Sequence, residues 1–161
     1  MRSTQTRRFG ASVAWLPAIL VLSFAATLQA TDYLPRNDPK RLQVVVEDLA
    51  RQLALPATVR VTIVESNALL VSVAPQEGPE NAFVLSFEDS FLDGLDDEEL
   101  CAVIAHELGH VWIFTHHPYL QTEDLANSIA FKVVTQDSLD RVYDKVRARN
   151  IVAGTLSAFM H

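Results

Sequence analysis

The stretch Leu95-Asp-Asp-Glu-Glu-Leu-Cys-Ala-Val-Ile-Ala-His-Glu-Leu-Gly-His110 decides how the rest of the chain is read. Asp96 followed three residues later by Glu99 is a capping box, in which each side chain can satisfy the other residue's backbone N–H at a helix start. Leu100, Val103, Ile104, Leu108 and Val111 recur at helical intervals, so the spacing predicts a helix with an apolar face. On that helix His106 and His110 project roughly 40° apart, and two imidazole nitrogens can converge on one tetrahedral ion. Glu107 lies about 100° from His106, which sets its carboxylate beside the ion's open position and outside its ligand set. This pattern on a well-capped helix points to metal-assisted hydrolysis.

A catalytic zinc needs a third protein ligand, and His116, Glu123 and Asp124 are the candidates downstream. His116 would need a glycine three residues after His110 to turn the chain, and position 113 is Ile. On a continuing helix it would lie roughly 240° around from His110. Glu123 comes level with His110 if the helix runs to Thr115, turns through His116-His117-Pro118 and returns as a second helix opening at Pro118. Asp124 is rotated away from that face. Asn127, four residues beyond Glu123, shares its face, and its oxygen can accept the far N–H of His106 or His110 and fix the ring's orientation. Tyr119, His116 and His117 lie near the turn as candidate oxyanion donors, while Cys101, Trp112 and Phe114 read as packing residues.

Outward from this helix, Asp38-Pro39 opens an earlier one, with Leu42, Val45, Leu49 and Leu53 on one face and Leu55-Pro56 as its stop. Period-two alternation at residues 59–65, at Leu69, Val71 and Val73, and at Phe83, Leu85 and Phe87 predicts three strands. Their connections are too short for a crossover helix, so consecutive strands are expected to pair antiparallel. Leu139, Val142, Tyr143 and Val146 predict a further helix over Asp137 to Ala148, with Asp137 pairing Arg141. The expected fold is α+β: a backing helix, a three-stranded mostly antiparallel sheet, the histidine-bearing helix and a second helix carrying Glu123.

Residues 1–30 have the order of a signal peptide: Arg2, Arg7 and Arg8, then the uncharged run Ala11 to Leu28, then Gln29-Ala30. The expected organisation is a signal peptide over 1–30 and one domain over 31–161, secreted or periplasmic, with retention as an N-terminal anchor facing outside the cytoplasm as the alternative. After signal removal no stable membrane span is expected. The remainder carries 10 basic and 20 acidic residues, a balance that excludes phosphate backbones and so argues against nucleic acid as a partner. A lone cysteine permits no internal disulfide. Oligomeric state leaves no signal in the sequence.

The segment Leu95 to His110, with the helix and strands before it and Glu123 after it, resembles the gluzincin zinc metallopeptidases. It is similar to the small minigluzincins and to the catalytic core of the CAAX prenyl endopeptidases, and the resemblance spans Asp38 to about Val134. It implies a zincin-like domain holding one Zn2+ per chain on His106, His110 and Glu123. It further implies hydrolysis of a peptide or protein substrate by a zinc-held water, with Glu107 as general base. Family members use an Asn-Ala pair on the substrate-facing edge strand, which here is Asn67-Ala68 or Asn81-Ala82. An extended substrate would add to that edge as a strand. A catalytically silent zinc-binding interaction module of the same fold is the alternative reading.

Overall fold

Helix α1 (Pro39–Gln52) starts where the Asp38 side chain accepts the Lys40 N–H at 2.7 Å and Pro39 presets φ. Its buried face is Leu42, Val46 and Leu49, with Val45 half-buried beside them. It closes with the Ala54 and Leu55 N–H groups donating back to the Arg51 and Ala50 carbonyls, Ala54 taking the left-handed region at φ 51°. These are observations on a computed structural model, which describes residues 37–159 and side chains through residue 151. The expected signal segment lies outside the described residues.

Strands β1 (Thr58–Val64), β2 (Val71–Pro75) and β3 (Ala82–Glu88) form one sheet in the order β1-β3-β2. β2 and β3 pair antiparallel, as the short connection predicts, but β1 does not pair with β2; it runs parallel to β3, with Val61 opposite Leu85. The expectation of antiparallel consecutive pairs is corrected at that step. Phe83, Leu85 and Phe87 of β3 are all buried, and the most apolar strand takes the centre, where both its edges are paired. β2 ends in Pro75 and suits an edge. Strand β2 with its flanking turns serves as the crossover between two parallel strands, a role normally filled by a helix.

The sheet's two edges are finished differently. On β1 the Gln43 side-chain amide of α1 accepts the Val61 N–H and donates to the Val59 carbonyl, both at 3.0 Å, and so stands in for a fourth strand. On β2, Leu70 and Gln76 bond to β3 through Glu88 N–H (2.8 Å) and Ala82 O (2.7 Å). By antiparallel alternation Val71 and Val73 therefore turn their N–H and C=O groups away from the sheet.

A single turn, α2 (Asp89–Leu92), leads to α3 (Asp97–His116), whose capping box forms as expected: Glu99 N–H to Asp96 Oδ1 at 2.8 Å and Asp96 N–H to Glu99 Oε2 at 2.7 Å. Glu99 is only 2% exposed, and its charge is met by Lys145 and Arg141 of α5 (Gln136–Phe159). That last helix starts on the Thr135 hydroxyl, which accepts the Ser138 N–H, carries the expected Asp137–Arg141 pair and continues well past Ala148. Between them lies α4 (Glu123–Ala130). α3 is the hub of the domain, packed on α1, α4, α5 and β2. The result is an α+β domain of five described helices and a three-stranded mixed sheet, compatible with a zincin-like fold. No described helix is long and apolar enough to cross a membrane.

Candidate metal centre

Along α3, Ile104 and Leu108 bury into the core, which turns His106 and His110 towards α4 and leaves Glu107 facing β2. The two Nε2 atoms lie 3.2 Å apart. Glu123 completes the cluster from the first residue of α4, with Oε2 at 3.2 Å from His106 Nε2 and Oε1 at 3.5 Å from His110 Nε2. Among the described residues these three form the group able to hold a metal, their donor atoms all within 4.8 Å of one another.

The far nitrogens explain why the near ones converge. His106 Nδ1 meets Asn127 Oδ1 at 2.7 Å, and His110 Nδ1 meets Gln121 Oε1 at 3.2 Å while Gln121 Nε2 donates to the His110 carbonyl at 3.3 Å. Opposed by oxygen acceptors, both Nδ1 atoms carry the proton, so in the neutral rings both Nε2 lone pairs face each other and the carboxylate. Burial lowers the His106 pKa, against the Asn127 bond and the Glu123 charge, and favours that neutral form. Three acceptors pointed at one another with no donor between them are stabilised by a cation. Two imidazoles and a carboxylate with an open fourth position is the donor set of a catalytic zinc site.

Asn127 also accepts the Tyr143 hydroxyl of α5 at 2.9 Å, filling both lone pairs of its oxygen. Gln121 and Tyr143 are the two contacts that sequence reasoning missed. Gln121 lies in an irregular loop with no periodicity to mark it, and Tyr143 shares its helix face with Leu139, Val142 and Val146, which reads as core.

Glu107 is buried, and its carboxylate faces the Val73 N–H on the open edge of β2. Burial first, and then the Glu123 charge, push its pKa up to about 7 against the pull of that N–H. A cleft of about 440 Å³ runs between the β2 edge and α3, bounded by Val73, Phe83, Phe114 and the donor cluster. A smaller apolar cavity of about 130 Å³ lies behind His106 and Glu107, walled by β2 and α5.

The path to Glu123 differs from the expected one. The second helix does not open at Pro118: residues 117–122 are irregular, turned by Leu120 N–H to His117 O at 2.9 Å. α4 starts where the Thr122 hydroxyl accepts the Leu125 N–H, since a side-chain cap fixes a start more firmly than a proline alone. Asp124 is exposed and outside the cluster, and His116 stacks on Trp112 with ring centroids 4.2 Å apart. Tyr119 is 98% exposed, and neither it, His116 nor His117 lines the cleft. Asn67-Ala68 sits in the turn that enters edge strand β2, whereas Asn81-Ala82 leads the central strand β3, where Asn81 O accepts Thr58 N–H and Ala82 O accepts Gln76 N–H.

Helices α3 and α4 approach closely. A Cβ on Gly109 would lie 2.5 Å from the Ala126 carbonyl oxygen, so only glycine lets α4 bring Glu123 and Asn127 to the histidines.

No curated protein and no solved structure matches the chain significantly. A family model described as Peptidase family M48 matches residues 36–161, the stretch that holds the sheet, the donor cluster and every helix described above. The chain belongs to peptidase family M48, a family of zinc metallopeptidases of gluzincin type.

Proposed function

We propose that this chain is an exported metallopeptidase in which His106, His110 and Glu123 hold one zinc ion and Glu107 is the general base for peptide-bond hydrolysis. The observation that carries this reading is the position of Glu107: buried, one helical position from a donor of the cluster, and facing the N–H of an open edge strand across the cleft. Zinc held there would supply Lewis acidity, for activating a water and polarising the scissile carbonyl. Glu107 takes the proton of the attacking water on its carboxylate and delivers it to the leaving amine. Burial raises the Glu107 pKa in the metal-free site, and a zinc ion beside it would favour the carboxylate that a base needs. Asn127 and Gln121 hold the two imidazoles in the tautomer that presents Nε2, and Tyr143 holds Asn127. An extended peptide would lie along β2, its main chain meeting the outward groups of Val71 and Val73. Of the two Asn-Ala pairs, Asn67-Ala68 is the one beside that edge. Export rests on the signal-like order of residues 1–30 and predicts a mature N-terminus at Thr31.

The test is elemental analysis of the purified mature chain together with cleavage of an unstructured polypeptide library, with and without a chelator. One zinc per chain and chelator-sensitive cleavage are expected. Zinc-loaded protein that cleaves nothing across a broad pH range would overturn the enzymatic reading in favour of a silent zinc-binding module.

A further inference from the structure

Strand β2 turns alternate main-chain groups inward to β3 and outward to the cleft, and the inward set is fixed at both ends. Glu88 N–H donates to Leu70 O at 2.8 Å, and Gln76 N–H donates to Ala82 O at 2.7 Å. The outward residues are therefore Val71, Val73 and Pro75. Proline has no N–H to offer. At Pro75 the edge still presents a carbonyl, but the donor that would continue a ladder with an added strand is gone, although the inner side of the chain goes on pairing through Gln76. Past Gln76 the chain leaves the sheet in the turn that holds Gly78 at φ 108°.

The other end of this edge is trimmed by different means. Leu69 is the next position in the outward series, and its N–H already donates to Asn67 Oδ1 at 3.0 Å. The Asn67 side-chain amide donates in turn to Ser72 Oγ at 3.0 Å and to Ser86 O at 3.2 Å, which holds that acceptor in place. Leu70 sits in the left-handed region at φ 66°, so extended geometry stops there. Between these two ends only Val71 and Val73 keep an outward N–H, and that of Val73 faces Glu107. Val71, Val73 and Pro75 all line the cleft. From Val73 to Pro75 is two residues of strand, about 7 Å, so a peptide drawn along the edge runs out of donors close to the general base.

We propose that Pro75 is a specificity-determining residue that ends the donor series of the substrate-binding edge, as Asn67 ends it on the other side, so that the chain grips no more than the five substrate residues opposite β2. The substrate class that follows is a polypeptide unstructured over a short span, whose main chain beyond that span is not held. This limit rests on the peptidase reading. Proline on an edge also blocks pairing with a second copy of the chain. That simpler role predicts that restoring the N–H leads to self-association and leaves the handling of peptides as it was.

The test uses zinc-loaded mature chain and a short unstructured peptide that it cleaves, lengthened one residue at a time at either end with alanine and serine. For wild type, kcat/KM should climb until the peptide covers five residues and stay level beyond. Pro75→Ala and Pro75→Val restore an N–H. In both, adding the residue whose carbonyl faces residue 75 should lower KM about threefold to tenfold further than in wild type, the worth of one hydrogen bond, and at one end of the peptide only. That gain should vanish when the carbonyl is reduced to a methylene, a result that altered strand stiffness alone would not give. Wild-type kcat/KM that keeps rising with length overturns the limit. So do folded variants that gain nothing, that gain equally from the reduced peptide, or that only self-associate in sedimentation. Anisotropy titration of the labelled peptides, which needs no turnover, separates the two readings. A wild type that cleaves nothing overturns the peptidase reading; the length dependence of peptide binding then decides the limit, and absence of binding overturns it as well.

Discussion

The two edges of the sheet pose the same physical problem and are given opposite answers. Each outer strand turns alternate backbone groups outward, Val59 and Val61 on β1, Val71 and Val73 on β2, and each meets a helix side chain there. On β1 that side chain is the Gln43 amide, donor and acceptor at once, which satisfies one group of each kind and closes the edge. On β2 it is the Glu107 carboxylate, an acceptor only, which faces the Val73 N–H and can offer nothing to the outward carbonyls of the edge. A neutral amide closes one edge; an acid beside converging metal donors leaves the other open.

The sharpest way to break this comparison is to give the open edge the side chain of the closed one. Glu107→Gln should lower peptide cleavage by about 10²- to 10⁴-fold, the usual worth of a general acid–base group, with zinc content unchanged. Chelator-sensitive cleavage that persists undiminished in this variant would falsify the mechanism.

Next in size are the donors themselves. His106→Ala or His110→Ala should abolish stoichiometric zinc, and Glu123→Ala should weaken binding by at least about tenfold to a hundredfold, as even supporting contacts at metal sites are worth that much. Asp124→Ala should leave zinc content alone, being outside the cluster. Equilibrium dialysis against a zinc buffer separates these outcomes, and release by Asp124→Ala alone would show that α4 is set in another register.

Gly109→Ala probes the cleft without touching a donor. Its methyl group would meet backbone, which cannot swing aside, so α4 must shift and carry Glu123 and Asn127 with it. The variant should lose about 1–3 kcal/mol of stability, read from denaturant titration, and bind zinc more weakly.

A pH-dependent difference of similar size should separate the edges in metal-free protein. The Glu107 carboxyl is raised from an ordinary value near 4.5 to about 7, so between those values the folded chain holds more protons than the unfolded one. Its contribution to stability is complete below about pH 4.5 and is lost as pH rises through about 7, a swing of order 3 kcal/mol. Wild type should therefore lose stability over this range relative to Glu107→Gln; parallel curves for the two proteins would refute the shift. Smallest of all is Gln43→Leu, which opens the β1 edge at a cost of about 1–2 kcal/mol and should change neither zinc content nor cleavage.

What could be read from sequence were the features with local causes. Asp38-Pro39 and the Asp96–Glu99 box fix helix starts through contacts within four residues, and they fall where expected. Helical spacing likewise sufficed to set Asn127 on the face of α4 that meets His106. Strand order is non-local: nothing in β1 itself says that it passes over β2 to lie beside β3, although the continuous burial of Phe83, Leu85 and Phe87 marks β3 as the central strand in hindsight. Glu123 reaches the histidines by a loop and a threonine cap in place of the helical return pictured from Pro118, so the residue was legible and its route was not. Gln121 and Tyr143 become visible only once α4, the loop before it and α5 are folded onto α3.

Helix α3 carries a consequence for how this protein can vary. From Glu99 to Ile113 every residue is buried except Cys101, His110 and Trp112, and those three are half-covered. Residues that hold the core together and residues that face the cleft alternate on the same turns, and even the glycine between Leu108 and His110 is fixed by its neighbour on α4. Selection for a working site is here selection for a folded chain, so random mutagenesis of α3 would return one undivided set of damaging positions. Drift has its room elsewhere, on the exposed face of α1 and along the loop from His117 to Leu120.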